Sequence, residues 1–137
     1  MYYNFKPVND ENTCIQCFAG DTFTALFCRL LEFYDVLLHE YLGANADICK
    51  NMFLTKDECV RRYVFTKALP KSFRKLWKAK TEGECVLKAK DCMKLMKVLA
   101  NYDWHTDFDA ECLYSALEWA LYNKVDICVK ASDTPFK

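Results

Sequence analysis

The chain has little turn chemistry. Its 137 residues include only three glycines and three prolines, and an all-β sandwich needs more of both. Neither a phosphate-binding glycine loop nor a dinucleotide fingerprint is present, so nothing marks a nucleotide site. Histidine is equally scarce. His39 and His105 fall in different segments, and no serine or cysteine near them stands in a nucleophile setting, which argues against an enzyme. Long apolar runs are missing too: Arg29, Glu32, Asp35 and Glu40 interrupt the most apolar stretch, which excludes a membrane span there. There is no internal repeat and no low-complexity segment. No cofactor is implied.

What is present is ample core material. At 53% hydrophobic and 15% aromatic residues, a chain of this length builds one core without staples. The reading is a single all-α domain over 1–137, with 1–20 as an extended N-terminal arm and 132–137 as a frayed tail. Nine cysteines need a compartment before they have a meaning. The opening Met1-Tyr2-Tyr3-Asn4 carries no basic and apolar leader, and the count is odd. Both fit a reducing cytoplasm in which thiols act as small core hydrophobes.

The zero net charge hides a segregation. Residues 1–58 carry four basic against nine acidic side chains, residues 59–100 twelve against three, and residues 101–137 three against seven. The basic middle lacks interleaved glycine and exposed aromatics, so nucleic acid is not the expected partner. Solvated lysine faces, or an acidic partner helix, account for it better.

Helical periodicity dominates. Asp21-Thr22 caps a helix in which Phe23, Leu26, Phe27, Leu30, Leu31, Tyr34, Leu37, Leu38 and Tyr41 recur at spacings of three and four, ending at Gly43. Thr55 and Glu58 form a capping box for a helix to about Leu69, which Pro70 ends. A helix over 71–80 presents Phe73, Leu76 and Trp77 on one face. Gly83 then opens a long helix to about Asn101, and the last long helix spans 107–124, with 125–129 extending it or forming a short final helix.

Two clusters raise metal chemistry. Cys14-x-x-Cys17 with Cys28 and His39 supplies zinc-type ligands, but the second half lacks a close pair. The same pair as a redox motif would need a preceding strand. Asp103, Asp107, Asp109 and Glu111 lack the glycine and spacing of a calcium loop and read as charge complementing a helix start. No metal site is expected.

Several segments bear a family likeness. Phe73-Arg-Lys-Leu76-Trp77, Gly83-Glu84-Cys85-Val86-Leu87 and Ser115-Ala116-Leu117-Glu118-Trp119-Ala120-Leu121-Tyr122 resemble successive motifs of the B-cell lymphoma two (Bcl-two) apoptosis regulators, especially divergent viral members. The resemblance covers about residues 70–125. It implies a compact bundle of about six to seven helices around a central hydrophobic helix. The implied function is inhibition of apoptosis: an apolar groove sequesters the BH-three helix of pro-apoptotic host proteins in the host cytoplasm or at mitochondria. Val60, Val64, Phe73, Leu76, Trp77, Gly83 and Val86 would border that groove. Glu84 stands where the family has an arginine, so Lys80 or Lys88 would supply the charge partner. The alternative is a viral helical-bundle adaptor or scaffold that blocks host innate signalling through a surface interface, with homodimerisation left open.

Overall fold

Alternation, not helical period, decides the N-terminal segment. In Tyr2-Tyr3-Asn4-Phe5-Lys6-Pro7 every second side chain is a large apolar one or proline, which suits a strand buried on one face. The computed structural model, which describes residues 1–33, 71–102 and 104–137, forms strand β1 there, Tyr2–Pro7. Strand β2, Gln16–Ala19, turns back antiparallel to it, with Phe18 opposite Tyr3. Helix α1, Gly20–Phe33, follows, and helix α2 spans Lys71–Glu82. Strand β3, Glu84–Leu87, precedes helix α3, Ala89–Asn101. A single helical turn at Trp104–Thr106 leads into helix α4, Phe108–Tyr122, and strand β4, Ile127–Ser132, closes the order.

The four strands form one antiparallel sheet in the order β2-β1-β4-β3. Register aligns the apolar positions across it: Phe5 faces Val129, Cys85 faces Val129 from the other side, and Pro7 and Leu87 both face Ile127. The result is one buried face of Tyr3, Phe5, Phe18, Cys85, Leu87, Ile127 and Val129. Phe23, Leu26 and Phe27 of α1, Phe73, Leu76 and Trp77 of α2, Leu95 and Leu99 of α3, and Leu113 and Leu117 of α4 join it in one cluster. An aromatic chain runs through that cluster. Tyr3 stacks on Phe23 at 4.9 Å, Phe23 meets Phe27 edge-on at 5.1 Å, and Phe27 meets Trp77 at 5.0 Å. Such pairs contribute about 0.5–1.5 kcal/mol each beyond the area they bury.

The all-α expectation, a bundle of six to seven helices around a central helix, is therefore corrected. Residues 1–20 are not an arm, because their alternating aromatics place β1 in the interior of the sheet. Residues 84–87, expected to open the long helix, are an edge strand, and α3 starts only at Ala89. Residues 125–129 do not extend the last helix; Ile127, Cys128 and Val129 begin β4. The tail is also held. Asn4, 1% exposed on the sheet's outer face, donates from Nδ2 to the Thr134 carbonyl at 3.1 Å and accepts from Phe136 N–H at 2.9 Å. The spans over 71–80 and 107–124 agree with α2 and α4. The helix over 55–69, the stops at Gly43 and Pro70, and His39 lie outside the described residues.

Gly83 joins α2 to β3 with φ +90°, and a Cβ placed on it meets nothing within 4 Å. Its requirement is thus purely one of backbone conformation. Gly83→Ala should lower the urea-unfolding free energy by about 1–2 kcal/mol with an unchanged m value. Equal stability would show that the joint does not need the left-handed region.

Candidate interaction surface

The groove residues expected from sequence are placed one by one. Phe73, Leu76 and Trp77 are 1%, 0% and 1% exposed, so their apolar surface is already spent on the core. Gly83 is the α2–β3 joint and Val86 points to the outer sheet face, opposite Cys128 in register. Val60 and Val64 lie outside the described residues. Of the two charge partners, Lys80 packs inward: its ammonium donates to Thr24 Oγ1 and sits 5.2 Å from the Trp77 ring centroid. Lys88 gives its backbone N–H to Asp91 Oδ2 at 2.9 Å, while the residue itself is exposed. The structure gathers Phe73, Leu76, Trp77 and Lys80 on α2, with the three apolar side chains packed into the core.

The two buried cysteines, Cys85 and Cys92, are poor nucleophiles by position. All of the described cysteines are free thiols, and burial pushes Cys85 up to about 12 and Cys92 up to about 11, far from a reactive thiolate. Cys14 and Cys17 precede and occupy β2 without gathering a ligand set. Among the described residues no group of three or more His, Cys, Asp or Glu side chains could hold a metal ion.

Two internal charge clusters fix how α3 and α4 are displayed. Asp107 is the N-cap of α4 and accepts from the backbone N–H of Asp109 and Ala110 at 3.1 and 3.2 Å. Arg29 of α1 grips the same carboxylate in a fork, Nε to Oδ2 at 2.7 Å and Nη2 to Oδ1 at 3.0 Å, and reaches Asp109 Oδ2 at 3.0 Å. Tyr102 Oη donates to Asp107 Oδ2 at 2.6 Å. Burial works against ionisation of Asp107, but these donors outweigh it and hold its carboxyl at about 2. At the other end of α3, Asp91 accepts from Lys75 Nζ at 2.6 Å and Ser72 Oγ at 3.2 Å. Burial opposes that charge too, and the same contacts still carry its titration below the ordinary carboxylate range. Sequence reading assigned Asp107 to a helix start but had no signal for Arg29, which lies 78 residues away.

With those groups engaged, the outward faces stand apart. Along α4 the exposed positions are Phe108, Glu111, Ser115, Glu118 and Tyr122, at spacings 3, 4, 3 and 4. Phe108 is 77% and Tyr122 85% exposed. Along α3 they include Lys90, Met93, Lys94, Lys97 and Ala100, with Met93 62% exposed. One helix thus presents an acidic and aromatic stripe, and its neighbour a basic stripe around a methionine. Phe108 and Tyr122 stand at the two ends of α4 with Glu111 and Glu118 between them. No helix among the described residues is long and apolar enough to cross a membrane.

The Asp107 contacts set an acid limb for stability. Its folded value lies below the unfolded value of 3.8, so the stabilisation is fully present above that value and is lost as pH falls toward 2. The amount at neutral pH is about 1–2 kcal/mol after allowing for solvent screening. Asp107→Asn should show both a lower urea midpoint at pH 6 and a shallower loss between pH 4 and about 2. Parallel acid limbs in the two proteins would mean that Asp107 does not carry it.

No protein-family model, no curated protein and no solved structure matches the chain.

Proposed function

We propose that the chain is a non-catalytic protein-binding module that works through the outward surface of α3 and α4, and that its α4 stripe takes a basic, amphipathic helical partner. The observation that carries this reading is the placement of Phe108 and Tyr122, 77% and 85% exposed, in line with Glu111 and Glu118. Aromatic side chains of this kind are the usual anchors of interfaces because they bring large area at low rotamer cost. The carboxylates between them select the charge of the partner. The adaptor alternative read from the sequence is of this class. Sequestration of a BH-three helix would instead use Phe73, Leu76 and Trp77, whose burial in the core leaves them no free surface.

The test compares three peptides by calorimetry: a basic amphipathic helix with lysine and leucine at three- and four-residue spacing, its acidic counterpart, and a panel of BH-three helices. The basic helix should bind, and Phe108→Ala combined with Tyr122→Ala should weaken it about tenfold or more while changing the melting temperature little. Equal binding of the acidic helix would overturn the charge argument. Binding of a BH-three helix at tens of micromolar, unaffected by the α4 substitutions, would return the function to a groove.

A further inference from the structure

From the spacing of the two stripes we infer that the partner of the α4 surface is the α3 surface of a second copy of this chain, in a two-fold pair. This deepens the reading just given and rests on it.

The argument is one of register. Lys90 and Lys97 are seven residues apart on α3, and Glu111 and Glu118 are seven apart on α4, so each pair spans about 10.5 Å along its helix. Between them stand Met93, three residues after Lys90, and Ser115, three before Glu118. Laid antiparallel, the two stripes match at four positions, with Lys90 opposite Glu118, Met93 opposite Ser115, Lys97 opposite Glu111 and Ala100 opposite Phe108, while Tyr122 reaches past the start of α3 and Lys94 falls opposite Tyr114. The large methionine meets the small serine and the large phenylalanine meets the small alanine, as interdigitating helix surfaces require. Laid parallel, the lysines still reach the glutamates, but Met93 and Ser115 fall out of step. Among the described residues, none of Lys90, Lys97, Glu111 and Glu118 has an ion-pair partner within its own chain.

Symmetry then makes the contact twice. Helices α3 and α4 pack against each other and are joined by the short connection 102–107, which makes them antiparallel neighbours. A two-fold axis along the helices lays α3 of each copy antiparallel on α4 of the other, an isologous arrangement. The footprint, about 20 Å by 20 Å of helix surface, is below the ~800 Å² per partner of a standard interface. The pair is accordingly a reversible one, held by four lysine–glutamate contacts and sensitive to salt.

The experiment is sedimentation of the full chain with charge-reversed variants at exposed sites. The wild-type mass should rise with concentration toward twice 16.1 kDa and fall back at ~1 M salt, where screening acts within ~3 Å. Lys90→Glu/Lys97→Glu makes both stripes acidic, and Glu111→Lys/Glu118→Lys makes both basic. Each variant alone should associate at least about tenfold more weakly than wild type, and the equimolar mixture should recover to within about threefold. Ser115→Arg, which crowds Met93 without reversing either stripe, should also abolish pairing, and unchanged melting curves separate these effects from misfolding. A wild-type chain monomeric at all concentrations overturns the inference, as do variants that pair like wild type or a mixture no better than its parts. If the basic helix peptide still binds a monomeric chain, the surface reading stands and only the identity of the partner falls.

Discussion

The arrangement depends on one ladder. Strands β1 and β4 pair over six residues, from Tyr2 opposite Ser132 to Pro7 opposite Ile127, and they are the two interior strands of the sheet. Neither edge strand could complete the sheet alone, since β2 and β3 have four residues each and short two-stranded ribbons are marginal in water. The ladder puts Phe5 beside Val129 at the centre of the buried face, and the aromatic chain from Tyr3 to Trp77 grows from that point. The helices cover this face and turn their charged sides out. Contacts between segments so distant in sequence carry a loop-closure cost that only the completed core offsets.

A division of labour among charges follows from that packing. Arg29, Asp107 and Asp109, with Lys75 and Asp91, hold helices to one another. They anchor the start of α4 to α1 and the start of α3 to α2. The lysines and glutamates further along α3 and α4 have no such task, and they are regularly spaced. Lys80 shows the contrast within α2: it belongs to a strongly basic stretch, yet its stem and ammonium cover Tyr3 and Trp77 and so serve the core.

The helices were legible because their apolar periods are long enough to count. In α2 and α4 a dozen or more residues repeat the pattern, and Asp107 announces its helix by type alone. The strands were not, for reasons that differ. Glu84–Leu87 offers two alternations, too few to separate from a helix start, and Cys85 and Cys128 blur the polar–apolar contrast. Scarce glycine and proline argued against an all-β sandwich and toward long helices, yet this sheet needs few tight turns: β1 and β2 are joined through residues 8–15, and β3 and β4 are brought together across α3 and α4. The inference from few turns to no sheet was the error. For the site, Phe73, Leu76 and Trp77 were correctly grouped on one helix face, but periodicity does not say what covers such a face. Phe108 and Tyr122 were missed because an exposed aromatic in an apolar stretch looks like core until its neighbours are placed. The outward stripe was visible as Glu111, Ser115 and Glu118 at regular spacing, once the helix was known to bury its other side.

The separation of charge along a chain of zero net charge has a colloidal consequence. With no monopole, two molecules meet without long-range repulsion, and their mutual orientation is governed by the opposed signs of the α3 and α4 faces. Added electrolyte therefore has little net charge to shield and much patch attraction to weaken. Near neutrality its solubility is expected to rise with ionic strength, an effect set by where its lysines and glutamates lie and not by how many there are.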